Sequence, residues 1–95
     1  MSESMISIKL PERFDFSYHK EFYNKTTQVL ADTTTKDVEV DFAHVDYLDS
    51  SALGMLVMLQ KKCAEVSKKV VVVNASGLAA EILKIANMEK IVEIR

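Results

Sequence analysis

The sequence predicts a single α/β domain over residues 1–95. Three observations predict it. Met5 to Leu10 alternates apolar and polar side chains, the pattern of a half-buried strand. Val70 to Val73 is an uninterrupted β-branched run, which reads as a central strand covered on both faces. Between them, Ala52, Leu56, Leu59, Cys63 and Val66 are spaced 4, 3, 4 and 3 residues apart, one continuous apolar stripe at helical period. Strands alternating with helices favour one sheet with right-handed crossovers.

Taken in order, the first strand runs from Met5 to Leu10 and Pro11 ends it. Phe14-Asp15-Phe16 alternates again, as a short strand or an extended arm. Ser17 is placed to cap a helix that runs to about Ala31, with Tyr18, Phe22, Val29 and Leu30 near one face. Thr33 to Lys36 is β-branched and polar and reads as a loop. Val38, Val40 and Phe42 alternate with Glu39 and Asp41, a strand with one face more buried. The stripe then defines a helix from about Ser51 to Val66, and the valine run follows. Ser76 is placed to cap a third helix with Leu78, Ile82 and Ile85 inward and Asn87 as its stop. Ile91 to Ile94 reads as a last strand.

Composition narrows the function. The chain is 48% hydrophobic and 27% charged with a formal net charge of −2, an ordinary globular balance. Its lysines are scattered apart from Lys61-Lys62 and Lys68-Lys69, so no basic patch points to nucleic acid. The lone Cys63 cannot form an internal disulfide and suits a reducing compartment. No apolar run approaches the ~18 residues of a membrane span. The first ten residues, with Glu3 and Lys9, are no signal peptide. A cytoplasmic protein without membrane partners is expected.

Candidate catalytic chemistry is sparse. His19 and His44 are far apart and neither lies in a metal-spaced cluster. Cys63 falls on the apolar stripe and reads as an inert core thiol. Two glycines, Gly54 and Gly77, make no phosphate cradle. Asp46 and Asp49 suggest a carboxylate pair, but with no base, ligand or nucleophile beside them they read as solvated loop acids. Neither metal nor cofactor is expected.

The most informative run is Asp49-Ser50-Ser51-Ala52-Leu53-Gly54, where a strand hands over to a helix. Two readings of Ser50 stand. It can cap the helix, its oxygen accepting from a free backbone N–H for ~1 kcal/mol. It can instead present its hydroxyl for phosphorylation, which would add about −1.5 to −2 charges at pH 7.

Tyr47-Leu48-Asp49-Ser50-Ser51-Ala52-Leu53-Gly54 resembles the signature of STAS domains. It is most similar to the single-domain bacterial anti-sigma factor antagonists, whose typical run is Asp-Ser-Ser/Thr-Gly-Leu-Gly. The strand at Val38–Phe42, the strand at Val70–Val73 and the helix at Leu78–Asn87 extend the resemblance over most of the chain after residue 36. Leu10-Pro11-Glu12-Arg13-Phe14-Asp15-Phe16 looks like the opening of proteobacterial members. Ala52 departs from the glycine of many members, and alanine is comfortable in a first helical turn.

The resemblance implies a STAS-like mixed β-sheet of four or five strands with about three helices packed on it. It also implies partner switching. The unphosphorylated form binds an anti-sigma factor or similar serine kinase, phosphorylation of Ser50 abolishes binding, and a PP2C-type phosphatase restores it. Nucleotide and metal then belong to the partners, and the chain is no enzyme. The alternative is a STAS accessory subunit of a lipid-transporting ABC system. The expected contact surface comprises Asp49, Ser51, Leu53, Gly54, Met55 and Met58. For Met55 and Met58, on the flank of the stripe, cover by neighbouring helices is the competing expectation.

Overall fold

A computed structural model describes residues 5–95, so residues 1–4 lie outside the described residues. In chain order the elements are β1 (Met5–Lys9), β2 (Arg13–Phe14), a 3-10 turn (Phe16–Tyr18), α1 (His19–Ala31), β3 (Asp37–Asp41), β4 (Tyr47–Leu48), α2 (Ser50–Glu65), β5 (Lys69–Val73), α3 (Gly77–Ile85), a second 3-10 turn (Met88–Lys90) and β6 (Glu93–Ile94). The main sheet has the order β1-β3-β5-β6, and β2 with β4 forms a separate two-stranded ribbon. Every strand pair among the described residues is parallel, which sharpens the expected mixed sheet.

The register explains the core. Ile6, Val38 and Val70 lie in one row, and Ile8, Val40, Val72 and Ile94 in the next. These rows share a face, because side chains two apart on a strand point the same way. They join Phe22 and Val29 of α1, Leu56, Leu59 and Cys63 of α2, and Ala79 and Leu83 of α3 in one core. The opposite face carries the row Ser7, Glu39, Val71 and Glu93. Val70, Val71 and Val72 are all buried, as the β-branched run predicts, yet polar side chains flank Val71 on the second face. Near-continuous apolar strands are usual in parallel sheets. Only β5 follows that habit here; β3, also an interior strand, alternates between buried and half-buried residues.

Three local expectations are corrected. Ser17 caps no helix. Asp15 caps the 3-10 turn instead, accepting from the Ser17 N–H at 3.0 Å, and α1 starts later, at His19. Val66 leaves the α2 stripe and is 47% exposed at the helix end, while Ala52, Leu56, Leu59 and Cys63 are fully buried.

The third correction concerns α3, which is turned away from its expected face. Ala79 and Leu83 are buried, whereas Leu78 and Ile85 are exposed and Ile82 is half-buried. Through Ala79 and Leu83 α3 turns inward, packing beside β4 and the second 3-10 turn, and Met88 beyond the helix is buried as well. Asn87 does stop the helix, in the left-handed conformation at φ 58°. The last strand is shorter than expected, covering Glu93–Ile94.

Two buried polar groups were not anticipated. Thr26 faces the core and donates its hydroxyl to the Phe22 carbonyl at 2.9 Å, which satisfies it within its own helix. Lys68 donates from Nζ to the carbonyl of Asp32 at 2.6 Å, to the carbonyl of Thr35, and to Thr35 Oγ1 at 3.2 Å. It thereby ties the loop after α1 to the entry of β5. Cys63 is buried as read, and burial pushes its thiol pKa up.

Candidate functional site

The ribbon of β2 and β4 delivers the site. Phe14 and Leu48 pair in register and are buried, which leaves Arg13 and Tyr47 on the outer side of the same two strands. The Arg13 guanidinium lies 4.5 Å over the Tyr47 ring and its Nε is 3.1 Å from Asp15 Oδ2. Asp15 also accepts from the Ser17 hydroxyl at 2.5 Å. That bond, together with the Ser17 N–H and Arg13, holds its carboxyl below the usual range.

Immediately after β4 the chain turns into α2. Asp49 is in extended backbone at the N-cap position, and its Oδ1 accepts from the Ala52 N–H at 3.0 Å. Capping therefore falls to Asp49 and not to Ser50. Asp49 is also no free loop acid, so the Asp46–Asp49 pair dissolves into a capping residue and a separate exposed carboxylate. Ser50 is the first residue of α2 and exposed, and its hydroxyl makes no hydrogen bond within the described residues. It is a hydroxyl the fold does not use, held where the free N–H groups and dipole of a helix favour negative charge.

Ser51, one residue on, is half-buried and lines a groove of about 400 Å³ with Phe16, His19, Tyr23, Gly54, Met55 and Met58. Phe16 is 61% and Tyr23 56% exposed. Phe16 stacks on the His19 ring with centroids 4.3 Å apart, and His19 Nδ1 donates to the Phe16 carbonyl at 2.9 Å, which fixes the stack. The groove is thus an apolar surface of aromatic and methionine side chains on the flank of the Ser50 helix. Gly54 lies in its floor. A Cβ there would meet nothing within 4 Å, so packing within the chain does not require glycine. A helix-interior glycine costs about 1 kcal/mol relative to alanine, and here it keeps the groove open.

Of the expected contact residues, Ser51, Gly54, Met55 and Met58 come together in this groove. Asp49 is spent on the cap, and Leu53 packs against the core. Met55 is buried at 9% exposure and belongs to the core while touching the groove, so the cover expected as an alternative applies to it; Met58 is half-buried. Phe16, His19 and Tyr23 were missed as site residues. Their spacing of 3 and 4 residues was the available signal, since it sets three ring-bearing side chains along one side of the α1 entry. His44 is exposed in a turn away from this set. Among the described residues no group of three His, Cys, Asp or Glu could hold a metal, and no helix is long and apolar enough to cross a membrane.

A four-stranded parallel sheet packed with three helices in this order is the STAS fold. The family model described as "Mlab, STAS domain" matches residues 1–93, and the chain belongs to that family. A STAS-domain containing protein of Pseudomonas aeruginosa (strain UCBPP-PA14) is 34% identical over 89 residues, covering 94% of this chain and 86% of that one. The phosphorylated form of the Bacillus cell fate determinant SpoIIAA superposes with a TM-score of 0.72 at 13% identity, covering 99% of this chain and 85% of that one. A sulfate transporter family protein from Wolinella succinogenes superposes with a TM-score of 0.75 at 15% identity, covering 92% of this chain and 70% of that one. At these identities the two superpositions establish the fold.

Proposed function

We propose that the chain is a cytoplasmic anti-sigma factor antagonist that works by partner switching. The observation that carries this reading is the exposed, unengaged hydroxyl of Ser50, freed from capping by Asp49 and set beside the apolar groove. In the unphosphorylated state the groove and the first turn of α2 bind an anti-sigma factor or related serine kinase. That kinase transfers phosphate to Ser50. The modified side chain gains about −1.5 to −2 charges, which the helix N-terminus tolerates. The fold therefore persists while the partner meets a new charge within one Debye length. A PP2C-type phosphatase returns the binding form. Nucleotide and metal sit in those enzymes, and this chain is their substrate and ligand.

Incubation with the cognate kinase and ATP tests this, with the modified residue mapped by mass spectrometry. Ser50→Ala stays folded, escapes modification and keeps partner binding, whereas Ser50→Asp weakens binding. Modification at Ser51 with none at Ser50 sinks the assignment. The Mlab description of the family model and the sulfate transporter neighbour favour a second reading, a STAS accessory subunit of a lipid-transporting ABC system. That reading needs no modified serine, so phosphorylated Ser50 recovered from cells counts against it.

A further inference from the structure

The apolar groove beside Ser51 does not end at Met58. A second depression of about 360 Å³ continues along α2, sharing Gly54 and Met58 with the groove and adding Val57, Lys61, Lys62 and Glu65. Helical spacing explains the continuity. Ser51, Met55, Met58 and Lys62 follow one another at intervals of 4, 3 and 4 residues, and so do Gly54, Met58, Lys61 and Glu65. Residues so spaced line one side of a helix, so two neighbouring rows run its length. Ser50 opens the same outward side, four residues before Gly54, while Ala52, Leu56, Leu59 and Cys63 occupy the opposite, buried side. From Ser51 to Lys62 the rows extend ~17 Å at 1.5 Å per residue. The surface changes along that length from apolar to basic. On the other bank, Lys20 directly follows His19 and is exposed, whereas Glu21 turns to the far side of α1. Beyond Phe16, Arg13 and Asp15 are paired with each other. Three lysines therefore rim the groove against the single carboxylate of Glu65, although the whole chain carries a net charge of −2.

We infer that this surface takes an acidic amphipathic helix of the partner protein, its apolar row in the groove and its carboxylates against Lys61 and Lys62. The inference rests on the reading of the groove as the partner-binding surface, and it adds the chemistry of what binds there. α1 and α2 offer the occupant side chains and no open backbone. The occupant must therefore satisfy its own N–H and C=O groups, which a helix does. Charge complementarity makes it acidic. A lipid surface also selects apolar groups with a basic rim, but a bilayer meets protrusions, and Ser51, Gly54 and Met58 lie in a recess. An acidic occupant also explains the leverage of a phosphate on Ser50. The added charge has the partner's own sign and stands on the same side of α2, so it repels. A basic partner would be drawn to it.

Two designed helical peptides test this, identical in a row of leucines and differing only in Glu or Lys on its flanks. Each is titrated into the isotope-labelled full chain and followed by NMR. The Glu peptide shifts the amides of Tyr23, Gly54 and Met58 and binds about tenfold or more tightly than the Lys peptide at low salt, a preference that shrinks as salt is added. Lys61→Gln with Lys62→Gln, at exposed positions where the fold has no stake, brings the two peptides to near-equal affinity. Ser50→Asp weakens the Glu peptide and not the Lys peptide. Equal binding of both peptides in the groove overturns the acidic partner while leaving the groove a binding surface. A charge preference that survives the double lysine substitution also overturns it. Shifts confined to other parts of the chain, or none from either peptide, overturn the docking surface itself. So does binding to phosphatidylglycerol vesicles with neither peptide bound, which assigns the groove to a membrane. Whether a kinase modifies Ser50 is read separately, so the two failures are told apart.

Discussion

α2 and α3 both follow a strand by a short connection, and they start differently. α2 begins behind Asp49, whose carboxylate caps the Ala52 N–H and leaves Ser50 with nothing to do inside the fold. α3 begins behind Ser76, which occupies the N-cap position without a side-chain cap bond, and at Gly77 with φ +56°, a conformation glycine adopts at little cost. The path into α3 is fixed one step earlier, where Asn74 donates to Asp41 Oδ1 at 3.0 Å. Neither serine hydroxyl makes a hydrogen bond within the described residues; the two differ in place, Ser50 being the first residue of a helix already capped by Asp49 and Ser76 the N-cap of a helix with no side-chain cap. The helices also differ in burial. α2 sends Ala52, Leu56, Leu59 and Cys63 fully into the core, while α3 buries Ala79 and Leu83 and leaves Leu78 and Ile85 outside.

The largest expected effect separates those buried faces. Leu56→Ala removes a fully buried side chain and should cost about 2–5 kcal/mol by urea unfolding. Ile85→Ala removes an apolar side chain that is 79% exposed, and should stay within about 0.5 kcal/mol of wild type. A loss at Ile85 comparable to that at Leu56 would mean that α3 buries its expected face after all.

The two helix starts separate next. Asp49→Ala should cost about 1 kcal/mol, the value of a lost side-chain cap, or ~4–8 °C in thermal midpoint for a domain of this size. Ser76→Ala should cost far less, because no side-chain cap bond is there to lose. Ser50→Ala should likewise leave the midpoint nearly unchanged. If Ser50→Ala destabilises as much as Asp49→Ala, the hydroxyl has a structural duty and the comparison fails.

Gly54→Ala sharpens the functional side with an effect of opposite sign. The new Cβ meets no other group of the chain, and alanine is the better helix former, so the fold should gain up to about 1 kcal/mol. The same methyl intrudes on the floor of the groove shared by Phe16, Tyr23 and Met58, so partner binding should weaken. A higher midpoint with undiminished binding would show that partners do not use this groove.

Most of the architecture was legible because the hydrophobic pattern is strong where packing is decided. The alternation at Val38, Val40 and Phe42, the α2 stripe and the β5 run each name their element and its buried face. The misreadings are of two kinds. On α3 Leu78, Ile82 and Ile85 were taken as the inward face, yet the helix is turned so that Ala79 and Leu83 are buried and Leu78 and Ile85 exposed. At Asp15 and Asp49 the hydroxyl beside the acid was considered as the cap, although the acid one or two residues earlier holds that geometry. The groove was half legible. Its α2 side follows from sequence, but Phe16, His19 and Tyr23 reach it only through the way the α1 entry packs beside α2, a contact between segments distant in sequence.

The smallest effect concerns what holds the entry to α3. The hydrogen bonds from Asn74 and from the Ala43 N–H, at 3.0 and 2.9 Å, hold the Asp41 carboxyl below its usual range. A carboxylate whose folded pKa is depressed stabilises the fold above its unfolded value, near 3.9. That contribution is lost as the pH falls through the lower folded value. Asp41→Asn removes the titration while keeping an oxygen that can still accept. Acid unfolding followed by circular dichroism should then show a shallower fall in stability below about pH 4. The change is partial, because Asp15, Asp32 and Glu93 are shifted in the same direction and continue to titrate. An acid limb of unchanged steepness in Asp41→Asn would mean that the Asn74–Asp41 contact does not depend on the carboxylate charge. The entry to α3 would then rest on a charge-independent hydrogen bond from Asn74 together with its left-handed turn, in contrast with the acid-capped start of α2.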